Sequence, residues 1–277
     1  MLTILFCFIL SLFILGALGM ALLYVYESQL RPESRLPAPR PLALAFALTF
    51  WGALSGGLLC LCLRPFGKAC SRSATDKDNT PLVLVHGLYH SASTWVFLAA
   101  FLTRQGRAVS TFSYPTFGAT PESINKSFDA FMSRFAEKSG GKKPILVGHS
   151  LGGLVIRNWL RNPANTAKAA GLIALGTPHQ GSTCACLAPG ALAAALRPDA
   201  PFISEMKNAA PIALPCIALA SPTDGAVLPA SSLIAPEGWD FYPTKALGHF
   251  TLLFAPSVAR QLVKAINSID GQDDGNG

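Results

Sequence analysis

The chain has 277 residues, of which 51% are hydrophobic and 13% charged, and its Lys and Arg outnumber Asp and Glu by 22 to 15. The net charge of +7 comes from scattered cations, with no basic run interleaved with aromatics, so it argues against a nucleic-acid partner and for attraction to anionic lipid head groups. Soluble domains carry about 25% charged residues, and the deficit here points to a part of the chain that enters a membrane.

That part is N-terminal. Leu2 to Tyr26 and Leu42 to Leu63 contain no charged residue. Each run exceeds the roughly 20 residues that a helix needs to cross a bilayer core about 30 Å thick. Glu27 to Pro41, between them, is Pro-rich and carries Arg31, Arg35 and Arg40. An arginine in mid-span costs roughly 2.5–3.5 kcal/mol, so this stretch is a loop outside the hydrocarbon. Residues 1–70 therefore read as a transmembrane helical hairpin with spans at about 2–26 and 42–63. A cleaved signal peptide fits less well, because the first run lacks a basic start and is longer than the roughly 7–15 apolar residues usual there. Four cations (Arg64, Lys68, Arg72 and Lys77) follow the second span, against three in the loop. With the N-terminal amine, this slight excess favours a multi-pass protein of the cell (inner) membrane with its large domain in the cytoplasm.

The seven cysteines cannot all pair within one chain, and unpaired thiols fit a reducing compartment. His179, Cys184, Cys186 and Cys216 match no closed zinc spacing, so no metal or cofactor is expected.

Residues 71–80 are polar and read as a linker. From Pro81 the pattern alternates. Apolar strands are predicted over Leu82–Val85, Ala108–Ser113, Pro144–Gly148, Ala170–Leu175 and Pro215–Ala220, with a sixth at Phe241–Ala246. Helices are predicted over Ser93–Arg104, Pro121–Lys138, Leu151–Arg161 and Ser257–Ile269. Alternating strands and helices predict an α/β fold for residues 81–270, with a mostly parallel sheet covered on both faces. Residues 182–210 interrupt the alternation with an Ala-, Leu- and Pro-rich stretch, either an inserted lid or an ordinary crossover. Residues 271–277 read as a disordered tail.

The sharpest local signal is Gly148-His149-Ser150-Leu151-Gly152, which follows the strand Ile145-Leu146-Val147 and opens a helix. A strand turning abruptly into a helix presents its turn residue above the sheet, and small neighbours at Gly148 and Gly152 let the backbones approach. The Leu151 N–H is then free to stabilise an oxyanion. A serine needs a base, and the base an orienting acid. In folds of this type both follow the nucleophile. Of the two later histidines, His179 and His249, the second lies in a loop between the last strand and the last helix. Of Asp199, Asp224 and Asp240, Asp224 directly follows a strand, at the edge where ligands bind in such sheets. After the first strand, Gly87 allows a sharp turn and the Leu88 N–H supplies a second oxyanion donor. His86 braces that loop, and His149 points away from the reacting groups.

Leu84-Val85-His86-Gly87, Val147 to Gly153 and Gly176-Thr177-Pro178-His179-Gln180-Gly181-Ser182 together resemble the bacterial lipase and esterase branch of the α/β-hydrolase superfamily, over about Pro81 to Ile269. The resemblance implies catalytic Ser150, Asp224 and His249, an oxyanion hole from Leu88 and Leu151, and carboxylic-ester hydrolysis of acylglycerols, phospholipids or other esters. An acyltransferase or thioesterase using the same residues is the alternative, and a non-catalytic binding module a third. The membrane hairpin departs from a secreted lipase, and no calcium-binding carboxylate cluster is evident.

Overall fold

A computed structural model describes residues 2–30, 42–63 and 79–271; all but the last two residues of the expected linker (71–80) and all but the first of the expected tail (271–277) lie outside the described residues. Six strands form one sheet: β1 (Leu82–Val85), β2 (Val109–Phe112), β3 (Ile145–His149), β4 (Gly171–Leu175), β5 (Cys216–Ala220) and β6 (Asp240–Pro243). Their order is β2-β1-β3-β4-β5-β6 and every pairing is parallel. The sixth strand begins before the predicted one and ends sooner. It lies at the sheet edge and is largely exposed, so no apolar run marks it in the sequence.

Helices cover both faces because the strand side chains alternate between them. On one face, Leu82 and Leu84 pack against Trp95, Leu98 and Leu102, of which the last two lie on α3 (Val96–Arg104), and against α9 (Pro256–Ile269). On the other, Val83 and Val85 share a core with Ile124, Phe128 and Met132 of α4 (Pro121–Lys138) and with Leu154 and Ile156 of α5 (Leu151–Leu160). Thr120 caps α4: its hydroxyl accepts from Ser123 N–H at 3.3 Å, while the Ser123 hydroxyl accepts from Thr120 N–H at 2.9 Å. A one-turn α6 (Pro163–Thr166) leads into β4.

Residues 182–210 form a 3₁₀ turn (Thr183–Leu187), α7 (Ala191–Ala195) and α8 (Pro201–Lys207). Leu192, Leu196, Ile203 and Met206 are buried in the α4–α5 core. The stretch joins the parallel strands β4 and β5.

The two apolar runs form α1 (Leu2–Leu30) and α2 (Leu42–Leu63), packed against each other. Both are long and apolar enough to cross a membrane. They do not stand clear of the sheet domain: Tyr24 and Ala45 cluster with Leu228, and α2 contacts the segments around Ala92–Trp95 and Thr251–Leu253.

Candidate active site

The order β2-β1-β3 reverses the winding direction between β1 and β3, so a crevice opens beyond their C-terminal ends, where ligands settle in sheets of this kind. The loop after β1 carries Gly87 and Leu88, and β3 runs directly into Ser150. Ser150 holds φ 55° and ψ −124°, a conformation that non-glycine residues rarely adopt. Its N–H donates to Leu175 O at 2.9 Å, which ties the turn to β4. The fit around it is close. A Cβ on Gly152 would run into the Val85 carbonyl and lie 2.7 Å from the His86 carbonyl, so only glycine lets the helix start here. Leu151 opens α5, where first-turn N–H groups have no intrahelical acceptor. Gly87 abuts Ser150, since a Cβ built there would stand 2.9 Å from Ser150 Cβ.

His86 is fully buried and holds that loop. Its Nδ1–H donates to Gly87 O at 2.9 Å, and its Nε2 accepts from Tyr114 N–H at 3.2 Å. The Tyr114 hydroxyl returns a bond to His86 O at 2.7 Å, and the two rings stack at 4.2 Å. Burial pushes the His86 imidazole down to about 4, so the ring is neutral. A neutral ring with both nitrogens engaged is a brace for the loop.

Asp224 and His249 meet beside the elbow. Asp224 is 1% exposed, and its Oδ2 lies 2.6 Å from His249 Nδ1. Its Oδ1 accepts from Ala226 N–H at 3.0 Å and Val227 N–H at 3.1 Å, which fixes the carboxylate plane. Gly176, at φ 56°, passes beneath the pair: a Cβ there would be 3.3 Å from Asp224 Oδ2 and 3.4 Å from His249 Nδ1. His249 Nδ1 is committed to the carboxylate, which leaves Nε2 for proton transfer. The other candidates fall elsewhere. Asp199 and Asp240 are exposed, and His179 Nδ1 sits 3.1 Å from the Arg157 guanidinium, with burial and that cation holding the imidazole far below its usual range.

Sequence reasoning missed two groups of supporting residues. His149 does not point away. It is completely buried, its Nε2–H donates to His249 O at 3.2 Å, and its ring lies 4.7 Å from that of His249. Its neighbour Ser150 turns up into the crevice, so the side chain before it turns down, where the His249 loop crosses. Burial, then the neighbouring His249, depress its basicity well below normal. Ser221 and Thr223 lace the acid loop to the base loop. The Ser221 hydroxyl donates to Leu247 O at 2.6 Å and accepts from Leu247 N–H at 2.8 Å, and the Thr223 hydroxyl donates to the same carbonyl at 3.1 Å. No local motif announces these bonds, because they join segments more than twenty residues apart.

Among the described residues, no three His, Cys, Asp or Glu side chains gather as metal ligands would. Cys184 donates to Gly225 O at 3.4 Å and Cys186 is exposed.

A parallel sheet with this strand order, a strained serine between β3 and α5, and a buried acid–base pair at the same edge define an α/β hydrolase. The chain belongs to the Alpha/beta hydrolase family, whose model matches residues 82–266. In sequence it is 35% identical over 95 residues to a (lyso)-N-acylphosphatidylethanolamine lipase of Mus musculus, covering 31% of this chain and 28% of that protein. It is 38% identical over 82 residues to an sn-1-specific diacylglycerol lipase of Danio rerio, covering 28% and 26%. The chain thus spans less than a third of the length of these relatives. In structure it resembles a mature lipase of Bacillus licheniformis at TM-score 0.60 and 19% identity, over 70% of this chain and 93% of that one. It also resembles a monoacylglycerol lipase of Paleococcus ferrophilus at TM-score 0.54 and 18% identity, over 70% and 97%. Identities this low speak for the fold.

Proposed function

We propose that this chain is a serine carboxylic-ester hydrolase, a lipase or esterase, acting through an acyl-enzyme at Ser150. The observation that carries the reading is the buried 2.6 Å contact of Asp224 with His249, on the sheet edge where the strained Ser150 emerges. Ser150 Oγ attacks the ester carbonyl as His249 Nε2 takes its proton. The N–H groups of Leu88 and Leu151 hold the oxyanion, and Asp224 stabilises the imidazolium. His249 then returns the proton to the leaving alcohol, and water, activated by the same base, releases the acid.

A lipid ester is the substrate class the surroundings favour. Tyr89, next to Leu88, stacks on Phe117 at 5.1 Å and donates to Pro189 O, and Phe117 and Leu187, two residues before Pro189, are exposed. An apolar rim beside the oxyanion loop suits an acyl chain. Several of the relatives are named as lipases. The apolar α1 and α2 would keep the enzyme on membrane lipids. Their length and the charge count alone would favour a two-pass location in the cell membrane with the hydrolase domain, about residues 81–270, in the cytoplasm; their packing on that domain favours instead an attachment along the membrane surface.

The test is hydrolysis of p-nitrophenyl butyrate and of phospholipid or diacylglycerol vesicles by the purified full chain, with labelling of Ser150 by a fluorophosphonate. Ser150→Ala is expected to remove both signals. Undiminished hydrolysis by that variant rules the reading out.

A further inference from the structure

The chemistry above uses neither apolar helix, yet α2 lies against it. Thr49 donates from its hydroxyl to Thr223 O at 3.2 Å, and Tyr24 of α1 donates to Pro222 O at 3.1 Å. A Cβ built on Gly52 would stand 2.8 Å from Gly248 Cα, and one built on Gly248 would stand 2.7 Å from Gly52 Cα. A Cβ on Gly56 would collide with that of Phe250, and one on Gly225 with the Thr49 side chain. Ala45, Thr49, Gly52 and Gly56 recur at helical spacing and so share one face. Ala45 packs on Leu228, and the partners of Thr49, Gly52 and Gly56 are the chain neighbours of the acid and the base: Thr223 and Gly225 flank Asp224, and Gly248 and Phe250 flank His249. One helix face therefore touches both sides of each residue.

We propose that α2 is a positioning element of the active site, a rigid rail against which the Asp224 and His249 loops are seated, and that the hairpin consequently lies along the catalytic edge in the plane of the membrane surface. The first half rests on the triad assigned above. Triad geometry must hold to within about 0.5 Å, and loops reach that only when packed on something rigid. The second half follows from length. Ala45 and Gly56 are separated by roughly 16 Å of helix rise, and both ends of that stretch touch the hydrolase domain. In a hairpin crossing the bilayer, Ala45 and Tyr24 would lie near the far side, out of reach of Leu228 and Pro222. The faces turned outward suit lipid: Phe8, Leu12, Leu15, Leu22 and Tyr26 of α1 and Trp51 of α2 are all exposed. Cations at both ends of the hairpin in the sequence (Arg31, Arg35 and Arg40; Arg64, Lys68 and Arg72) complement anionic head groups.

The experiment compares Gly52→Ala and Gly56→Ala with Gly19→Ala, a position where an added Cβ meets nothing within 4 Å. Full-length protein is assayed in vesicles of phosphatidylethanolamine and phosphatidylglycerol. For the first two variants kcat on p-nitrophenyl butyrate and the fluorophosphonate labelling rate are expected to fall at least tenfold, with KM within twofold of wild type. Amide hydrogen exchange over residues 221–228 and 246–254 is expected to rise. Gly19→Ala should match wild type. Thr49→Val, which deletes only the hydroxyl bond, should lower kcat severalfold and remains informative if either alanine variant unfolds. Wild-type kcat in Gly52→Ala, Gly56→Ala and Thr49→Val overturns the proposal, whether or not exchange changes. Unchanged exchange would further identify a hairpin that stands off the domain as a plain two-pass anchor. Hydrolysis that survives in Ser150→Ala would instead sink the triad assignment, and the exchange data would still report whether α2 holds the loops.

Discussion

Replacing Asp224 by Asn probes the site with almost no change in shape. In the native protein Oδ1 accepts from the N–H groups of Ala226 and Val227, and Oδ2 faces His249 Nδ1. An asparagine carbonyl must take the Oδ1 place, because an NH₂ group there would confront two N–H donors. The NH₂ group is then forced toward His249 Nδ1, which has to become an acceptor. The ring proton moves to Nε2 and points at the nucleophile, so His249 holds the wrong tautomer to accept a proton from Ser150. An aspartate-to-asparagine change of this kind lowers kcat about 10⁴-fold, equivalent to about 5.4 kcal/mol of transition-state stabilisation. Both loop N–H bonds survive, so the thermal midpoint should move little. The assay is kcat and KM on p-nitrophenyl butyrate at pH 7.5, with thermal unfolding followed in parallel. An Asp224→Asn enzyme that retains kcat within tenfold of wild type, with its fold intact, would refute the assignment of Asp224 as the orienting acid.

Other expectations concern the strain and the buried histidines. Ser150→Gly should relieve the φ 55° conformation, which costs of order 1–3 kcal/mol, and so raise the thermal midpoint by several degrees. Ser150→Ala keeps a Cβ and should show no such gain; equal midpoints would mean that the elbow stores no strain. His86, His149 and His179 are all held below the ordinary imidazole range by burial. The unfolded chain then binds more protons than the native one in mild acid, so stability is complete above pH 6.5 and falls below it. Each histidine contributes up to about 1.4 kcal/mol per pH unit, and the His86 share levels off near pH 4. Urea midpoints that stay constant from pH 7.5 to 5 would contradict this. His149→Phe keeps a ring beneath the base but removes the donor to His249 O. It should lower kcat about fivefold, in line with the roughly 1 kcal/mol net worth of one hydrogen bond, and leave KM unchanged. A change confined to KM would mean that His149 shapes the binding pocket instead.

The parts of this site that are legible in the sequence are those fixed by local backbone. Gly148 to Gly152 is a compressed turn between an apolar strand and a helix, and only glycine fits at its two ends, so residue types reveal the geometry. The central strands β1, β3, β4 and β5 are buried throughout and read as short apolar runs. The edge strand β6 has no such run, and residue pattern alone misplaces its limits. Asp224 and His249 can be chosen only by chain order and by their positions after strands. What holds them is non-local: the bonds of Ser221 and Thr223 to Leu247, the Gly176 cradle, and His149 under the His249 carbonyl. A sequence carries no periodicity for such contacts.

The same distinction bears on the hairpin. Composition alone marks α1 and α2 as apolar enough for a bilayer and says nothing about which face meets protein. Gly52 and Gly56 look, in sequence, like the small residues tolerated in any membrane helix. In the fold they are where backbone must approach backbone, because Gly248 and Phe250 occupy the space a side chain would need. Small residues let helices pack closely in lipid, where no hydrophobic force drives apolar surfaces together. Here the same residue types admit two catalytic loops. A sheet domain carries its acid and base on loops at the strand ends, and such loops hold a fixed geometry only when packed on a rigid element. In the proposed arrangement, setting the acid and base loops on an apolar helix makes the element that meets lipid the stiff support as well. Loss of the hairpin is then a loss of triad geometry as well as of location.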